Sequence, residues 1–347
     1  MAKDNENILV FDDGPLEPTE PQGFSFEQMV RCDNCLRANP PTRVNCIYCG
    51  NALPVTEVTA ALQKPVLRRL EQWEQGYNSF LVPVEGVALN DELLSKLGDL
   101  LRLKVEDVNK IFTSKRPLPL ARAASEDEAA LIARKLRDFG VETITVSDIE
   151  LGVDSIPARR ARSLKFAESE FVVCDVAGAE VSRIPWHDLV LLVVARLFVR
   201  QFETRERKSK RAENEIMETS ETSTDESVAD LYSTEQDGGW RIAANNFDFS
   251  CLGSRKTLLA GENFATLLNV LREQAPQAEF DDSYNTMRQT LEPVWPSERQ
   301  TEARGWRRHR PGKYSTDDVT TITNEGQFTR YSRFCHYLKT HPLDQPQ

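Results

Sequence analysis

The stretch RCDNCLRANPPTRVNCIYCGNALP, Arg31 to Pro54, constrains the fold of this 347-residue chain more than any other feature. Cys32, Cys35, Cys46 and Cys49 form two C-x-x-C pairs with ten residues between them. Each pair can deliver two thiolates from one tight turn, and four thiolates are the donor set a tetrahedral zinc ion prefers. The competing reading is two redox pairs. Redox C-x-x-C centres stand at a helix start after a strand, and the flanking residues carry no such pattern, so zinc is the preferred reading. Four cysteine ligands leave no position open for water, which makes the site structural rather than catalytic. So short a segment has almost no core, and metal binding would supply folding energy on the order of 10 kcal/mol.

The details around the ligands resemble the bacterial zinc-ribbon family, whose members read C-x-x-C, then NP, then C-x-x-C-G-x-x-L. Here these are Asn39-Pro40 and Cys49-Gly50-Asn51-Ala52-Leu53. The ligand spacing also resembles the Ran-binding-protein-type zinc finger, which carries a Trp two residues before its first cysteine; Val30 holds that place here. RNA-reading members of that family rely on arginines and a stacking aromatic. The resemblance therefore implies Arg37, Arg43 and Tyr48 as contacts for a partner or nucleic acid.

The rest of the chain reads as several modules. Residues 1–25 are acidic and rich in Pro, and bury too little apolar surface to order themselves. The zinc ribbon occupies 26–54 and a linker 55–76. Within 77–151, NSFLVPVEG reads as a strand. NDELLSKLGDLLRL sets Leu93, Leu94, Leu97, Leu100 and Leu101 on one helical stripe behind the N-cap Asn90. SEDEAALIARKLRDFG has an S-x-x-E capping box, Ser125 and Glu128, acidic residues in its first turn and Gly140 just past its end. The element order is β-α-α-β-α-β, an α+β sandwich. The stretch LLRLKVEDVNKIFTSKRPLPLARAASEDEAALIARKLRDFGVETITV resembles the C-terminal domain of the bacterial ribosomal stalk protein and the related Clp adaptor domain, which implies that fold and a habit of binding proteins.

Residues 168–280 are strand-rich and end in an amphipathic helix carrying Phe264, Leu267, Leu268 and Leu271. A low-complexity insertion at 204–238, first basic and then acidic, reads as flexible. Strands closed by one helix, with IPWHDL at a turn, resemble a bacterial pleckstrin-homology-like domain. FDFSCLGSRK reads as a core strand showing Phe247, Phe249 and Cys251 on one face. Residues 296–347 read as a basic, aromatic tail with a short docked helix near Phe328 to Leu338. The expected fold class is thus multidomain α+β with disordered tails and insertion.

A net charge of -11 argues against nucleic-acid binding by the whole molecule. The basic stretch ARGWRRHRPGKY is the local exception. There Arg304, Arg307, Arg308, Arg310 and Lys313 can meet phosphates, with Trp306 and Tyr314 to stack on bases. The bland alternative, a solvated tail docked on the chain's own acidic surface, is preferred. His187 adjoins Asp188, but neighbours in sequence seldom form a working pair, and Asp281-Asp282 reads as solvated loop. No nucleophile elbow, phosphate loop, H-E-x-x-H or dinucleotide fingerprint appears. The chain starts without a secretory signal pattern. Its longest apolar run, LVLLVVARLFV, falls short of the about 20 residues that span a bilayer. The expectation is a non-enzymatic, bacterial-type cytoplasmic adaptor or scaffold that holds one structural zinc ion and binds a protein. The alternative is a nucleic-acid- or ribosome-associated protein using the zinc module and the basic tail.

Overall fold

The computed structural model describes residues 24–54, 65–71, 73–84, 89–153, 159–209, 212–234, 239–310 and 313–343. The chain is a mixture of helix and sheet divided into two compact units, 1–64 and 65–347. The expected disordered stretch 1–25 lies almost wholly outside the described residues.

In the first unit, β1 (Val30–Arg31) pairs antiparallel with β2 (Ala38–Asn39), Val30 opposite Asn39 and Arg31 opposite Ala38. Two C-x-x-C turns hang from this ribbon. Their small core is Val30, Cys32, Cys46 and Leu53. Val30 thus fills an interior place rather than presenting a surface aromatic.

The second unit opens with the expected β-α-α-β-α-β order. Strand β3 (Tyr77–Leu81) is central, flanked antiparallel by β4 (Pro119–Ala123) and β5 (Thr143–Ser147). Helices α1 (Asp91–Leu101) and α2 (Val105–Thr113) lie between β3 and β4, and α3 (Glu126–Asp138) between β4 and β5. Asn90 caps α1 by accepting from the Leu93 N–H at 2.8 Å. Ser125 caps α3 by accepting from Glu128 N–H at 3.3 Å, but the capping box is incomplete. The Glu128 carboxylate turns away to accept from Val66 N–H at 2.6 Å, Leu67 N–H at 2.8 Å and Ala124 N–H at 3.1 Å. It thereby ties down 65–71, a segment the sequence presents as linker.

Short strands β6 (Arg159–Ala161), β7 (Ser163–Phe166), β8 (Glu170–Cys174) and β9 (Glu180–Pro185) follow, and β7-β8-β9 form an antiparallel meander. Next come two long strands, β10 (Leu189–Ser209) and β11 (Ala212–Ser233), then β12 (Trp240–Ala243). Helix α4 (Ala260–Gln274), β13 (Glu279–Asp281), α5 (Tyr284–Leu291), β14 (Glu298–Arg310), β15 (Lys313–Thr323) and α6 (Glu325–Thr340) complete the chain. The large sheet runs β14-β15-β10-β11-β12-β6, with β13 parallel to β10 off that path.

Three expectations change. The insertion 204–238 is strand in its described part, because β10 and β11 stay paired from Leu189 opposite Ser233 to Ser209 opposite Ala212. Hydrogen bonding across a hairpin orders a polar sequence that has no apolar periodicity to announce it. The tail 296–347 is likewise no tail: β14 pairs with β15, β15 pairs with β10, and α6 buries Phe328, Tyr331 and Phe334. Its periodicity is masked by Gln327, Ser332 and Arg333, polar residues that are also buried on that helix. FDFSCLGSRK is not a strand: Phe249–Arg255 is a pair of 3₁₀ turns broken at Gly253, though Phe247 and Phe249 are buried in edge contact.

Regions 77–151 and 168–280 share a core instead of standing as separate bodies. Phe80 of β3 stacks on Phe334 of α6 at 3.5 Å between ring centres and meets Trp295 edge-on at 5.6 Å. Trp295 Nε1–H donates to Asn78 Oδ1 at 2.9 Å. The wall of this core is β10. Leu191, Val193, Ala195 and Leu197 face it, while Leu189, Leu192 and Val194 join a second core with Phe171, Trp186 and Phe264. A strand buried on both faces reads as a continuous apolar run, which is the origin of LVLLVVARLFV.

Candidate metal centre

Each knuckle is built the same way. The Cys32 N–H donates to Arg37 O at 3.0 Å and Leu36 N–H to Cys32 O at 2.8 Å. In the second knuckle Cys46 N–H donates to Asn51 O at 2.7 Å and Gly50 N–H to Cys46 O at 2.9 Å. Leu36 and Gly50 occupy corresponding places and both have left-handed backbone, φ 59° and 77°. Glycine adopts that region freely, whereas a leucine there is strained.

The four sulfurs lie within 4.8 Å of one another. Cys32 and Cys49 Sγ are 3.6 Å apart, and Cys35 and Cys46 Sγ 3.5 Å. A tetrahedron with metal–sulfur bonds of about 2.3 Å has sulfur–sulfur edges of about 3.8 Å. The donor set and its spacing therefore fit a metal ion and are compatible with zinc. Cys32 and Cys46 are buried, and Cys49 is exposed at the rim.

The sulfurs do not ionise alike. Burial opposes charge on Cys46, but backbone N–H groups of Tyr48 and Cys49 outweigh it and bring the thiol down to about 6. The Tyr48 N–H lies 3.4 Å from that sulfur. The Asn51 backbone lowers Cys49. The Arg37 backbone favours the Cys35 thiolate, yet burial and the three neighbouring sulfurs push it up to about 12. Four thiolates this close repel, and a bound cation is the means of holding all four charged.

Asn39 joins the halves, a role the sequence does not reveal beyond its place in the NP signature. Its side chain is fully buried. Its amide donates to Arg37 O at 2.9 Å, after the first knuckle, and its Oδ1 accepts from Ile47 N–H at 2.9 Å, inside the second. Among the proposed contact residues, the Arg37 guanidinium sits 4.8 Å over the Tyr48 ring, linking the knuckles on the outside. Tyr48 is 53% exposed, beside Ile47 at 54%, with Leu36 at 61%. Arg43 opens the second loop, its N–H donating to Pro40 O at 3.1 Å.

The basic stretch lies in the other unit. Arg304, Trp306, Arg307, Arg308 and Arg310 follow one another along β14, and Lys313 begins β15. Trp306 pairs with Thr316, Arg307 with Ser315, Arg308 with Tyr314 and Arg310 with Lys313. Their side chains lie outside the described residues. His187 is exposed, its Nε2 3.6 Å from Asp188. Asp281 is not loop: it accepts from the Tyr331 hydroxyl at 3.0 Å.

Compared with models of known families, with curated proteins and with solved structures, the chain matches none. Among the described residues no helix is long and apolar enough to cross a membrane.

Proposed function

We propose that the protein is a non-enzymatic adaptor whose zinc-held module recognises a protein partner. The observation that carries this reading is the closed donor set. Four sulfurs within 4.8 Å saturate a tetrahedral ion and leave it no position for substrate or water. What the ion then provides is rigidity. It fixes a small surface on which Leu36, Ile47 and Tyr48 stand exposed and Arg37 stacks on the tyrosine ring. Exposed aromatic and arginine side chains are the types that anchor protein interfaces, and Leu36 and Ile47 add apolar area beside them. The resemblance of 77–151 to adaptor domains agrees with this role.

The test is co-purification from the native cell with the full chain and a Tyr48→Ala/Ile47→Ser variant that retains its zinc. The expected result is a partner held stoichiometrically by the parent and lost by the variant. A partner set identical for both proteins overturns the assignment of this surface.

A second reading is favoured by one observation: five residues of the basic stretch share the single strand β14, which among the described residues pairs only with β15. Such a strand can track a nucleic-acid backbone. Filter binding at low and high salt separates the readings. Affinity that falls steeply with salt and weakens in Arg307→Ala/Arg308→Ala would make nucleic acid the partner.

A further inference from the structure

A cleft of about 410 Å³ opens in the second unit. Three elements wall it: the segment from Leu67 to Leu70, the end of α1 with Arg102 and Leu103, and the stretch from Glu292 to Pro296. Strand β4 contributes Leu120 and Arg122. The volume lies in the range of small-ligand sites, and the lining is mixed, presenting polar and apolar surface in nearly equal parts.

The charges are one-sided. Four arginines line the cleft: Arg68, Arg69, Arg102 and Arg122. Two are committed within the chain. Arg68 donates to both oxygens of Glu74, and Arg122 pairs with the buried Asp148. Arg69 and Arg102 have no ion-pair partner among the described residues. The one lining carboxylate, Glu292, is already engaged by Ser297 through its N–H at 2.9 Å and its hydroxyl at 2.8 Å. A smaller recess of about 90 Å³ shares Arg69, Leu70, Arg122, Val294 and Pro296 with the cleft; it adds two arginines, Arg299 and Arg330, and two carboxylates, Glu71 and Glu298, so the excess of positive charge belongs to the larger cleft.

The walls are fixed, and two of their residues are strained. Leu67 has φ 41° and Arg102 φ 55°, left-handed values that non-glycine residues rarely hold. Leu67 is kept there by the Glu128 carboxylate, which grips the adjacent N–H groups. Arg102 is kept there as the C-cap of α1, its N–H donating to Gly98 O. Residues held in such conformations cluster at ligand clamps.

We propose that this cleft binds a small amphipathic anion, its carboxylate or phosphate head held by Arg69 and Arg102 and its hydrocarbon body lying on Leu67, Leu70, Leu103 and Val294. A guanidinium beside an apolar floor gains most from a charged, hydrogen-bonding partner. A hydrocarbon body covers the leucines that water now meets. This site is independent of the metal centre and of the partner surface proposed above.

The test uses the full chain with labelled Leu and Val methyl groups, titrated below their micelle concentrations with decanoate, decyl phosphate and decyltrimethylammonium. Either anion should shift the Leu103, Leu120 and Val294 methyls saturably; the tighter of the two identifies the head group. The Arg69→Gln/Arg102→Gln variant, with both changes at exposed positions, should bind at least about tenfold more weakly with an unchanged melting temperature, since two charge-assisted contacts are removed. A Val294→Phe variant, which fills the floor but keeps both arginines, should lose binding as well. Equal affinity in the double arginine variant, equal shifts from the cation, or no saturable shift from either anion would overturn the proposal.

Discussion

Residues 24–54 and residues 65–343 reach a defined structure by opposite means. The smaller unit has an interior of Val30, Cys32, Cys46 and Leu53, so two of its four core side chains belong to the sulfur cluster that could hold a metal ion. The larger one has two apolar cores that meet at β10. In the first, four clustered sulfurs fit to hold a metal ion stand where packing would be; in the second, packing suffices, and buried charge is tolerated because it is matched. Asp230 and Arg241 show that matching. They are paired at 2.7 Å, and Ser332 donates to the same carboxylate at 2.7 Å. The contrast teaches that one part of the chain has a donor set for a metal ion where the other has volume complementarity, and each can be removed separately.

The largest expected effect breaks the smaller unit alone. Stripping metal with a strong chelator, or Cys46→Ser, should collapse the amide dispersion of residues 30–53 in the full chain to random-coil positions. The melting temperature of the larger unit should not move. Retained dispersion in a verified metal-free protein would show that the ribbon folds without an ion, and the contrast would fail. Metal content measured alongside should be one zinc per chain.

The converse change belongs to the larger unit. Phe334→Ala removes the ring stacked on Phe80 and beside the Trp295 cluster. Aromatic truncations in a close-packed core cost about 3–5 kcal/mol. Urea unfolding followed by tryptophan fluorescence should show that loss while zinc affinity stays at the parent value. A cost below about 1 kcal/mol would mean that the α6 contact is peripheral, against the packing described.

Much of this division is legible in the sequence, and what is not has a physical reason. Spacing marks the four clustered cysteines, and caps and stripes mark the helices: Asn90 and Ser125 both cap as expected. These are local signals, complete within a few residues. The errors lie where the decisive partner is distant. Glu128 looks like half of a capping box because its true partners, Val66 and Leu67, are about sixty residues away. Residues 204–238 look flexible because polar strands paired to each other need no apolar period. Helix α6 looks like tail because Gln327 and Ser332 interrupt its apolar face, and only the fold supplies Trp295 O and Asp230 to satisfy them. At the metal centre, Asn39 was visible as a signature residue, but its bridging role depends on Ile47 in the other knuckle.

Asn39 therefore offers a finer probe of the metal-dependent half. Asn39→Ala leaves all four sulfurs in place but orphans the Ile47 N–H and frees the knuckles from each other. Loss of a group that orients metal ligands typically lowers affinity about 10–100-fold. Competition against a chromogenic chelator should show a drop of that size, with the urea midpoint of the larger unit unchanged. Affinity within about twofold of the parent would place all the organisation in the thiolates and none in the amide, well short of the usual effect of such groups.

The smallest effect sharpens the other half, where a surface pair borders the arginine-lined cleft. Arg68 donates to Glu74 at 2.7 Å, and the Glu71 N–H donates to the same carboxylate at 2.8 Å. The guanidinium and that N–H hold the Glu74 carboxyl at about 2, below its ordinary 4.5. A depressed carboxylate favours the folded state above its unfolded value, and the benefit disappears as pH falls from about 4.5 towards about 2. Arg68 is half exposed, so solvent and salt screen the pair and the contribution is small. The melting temperature of the parent should exceed that of Glu74→Gln by one or two degrees at pH 6 in low salt, about what a surface pair supplies. The gap should narrow as pH falls from about 4.5 towards about 2 and shrink in high salt. A gap undiminished from pH 6 down to pH 2.5 would mean that Glu74 acts through packing, and that the segment from Pro65 to Glu71 is held, like the rest of its unit, by shape rather than charge.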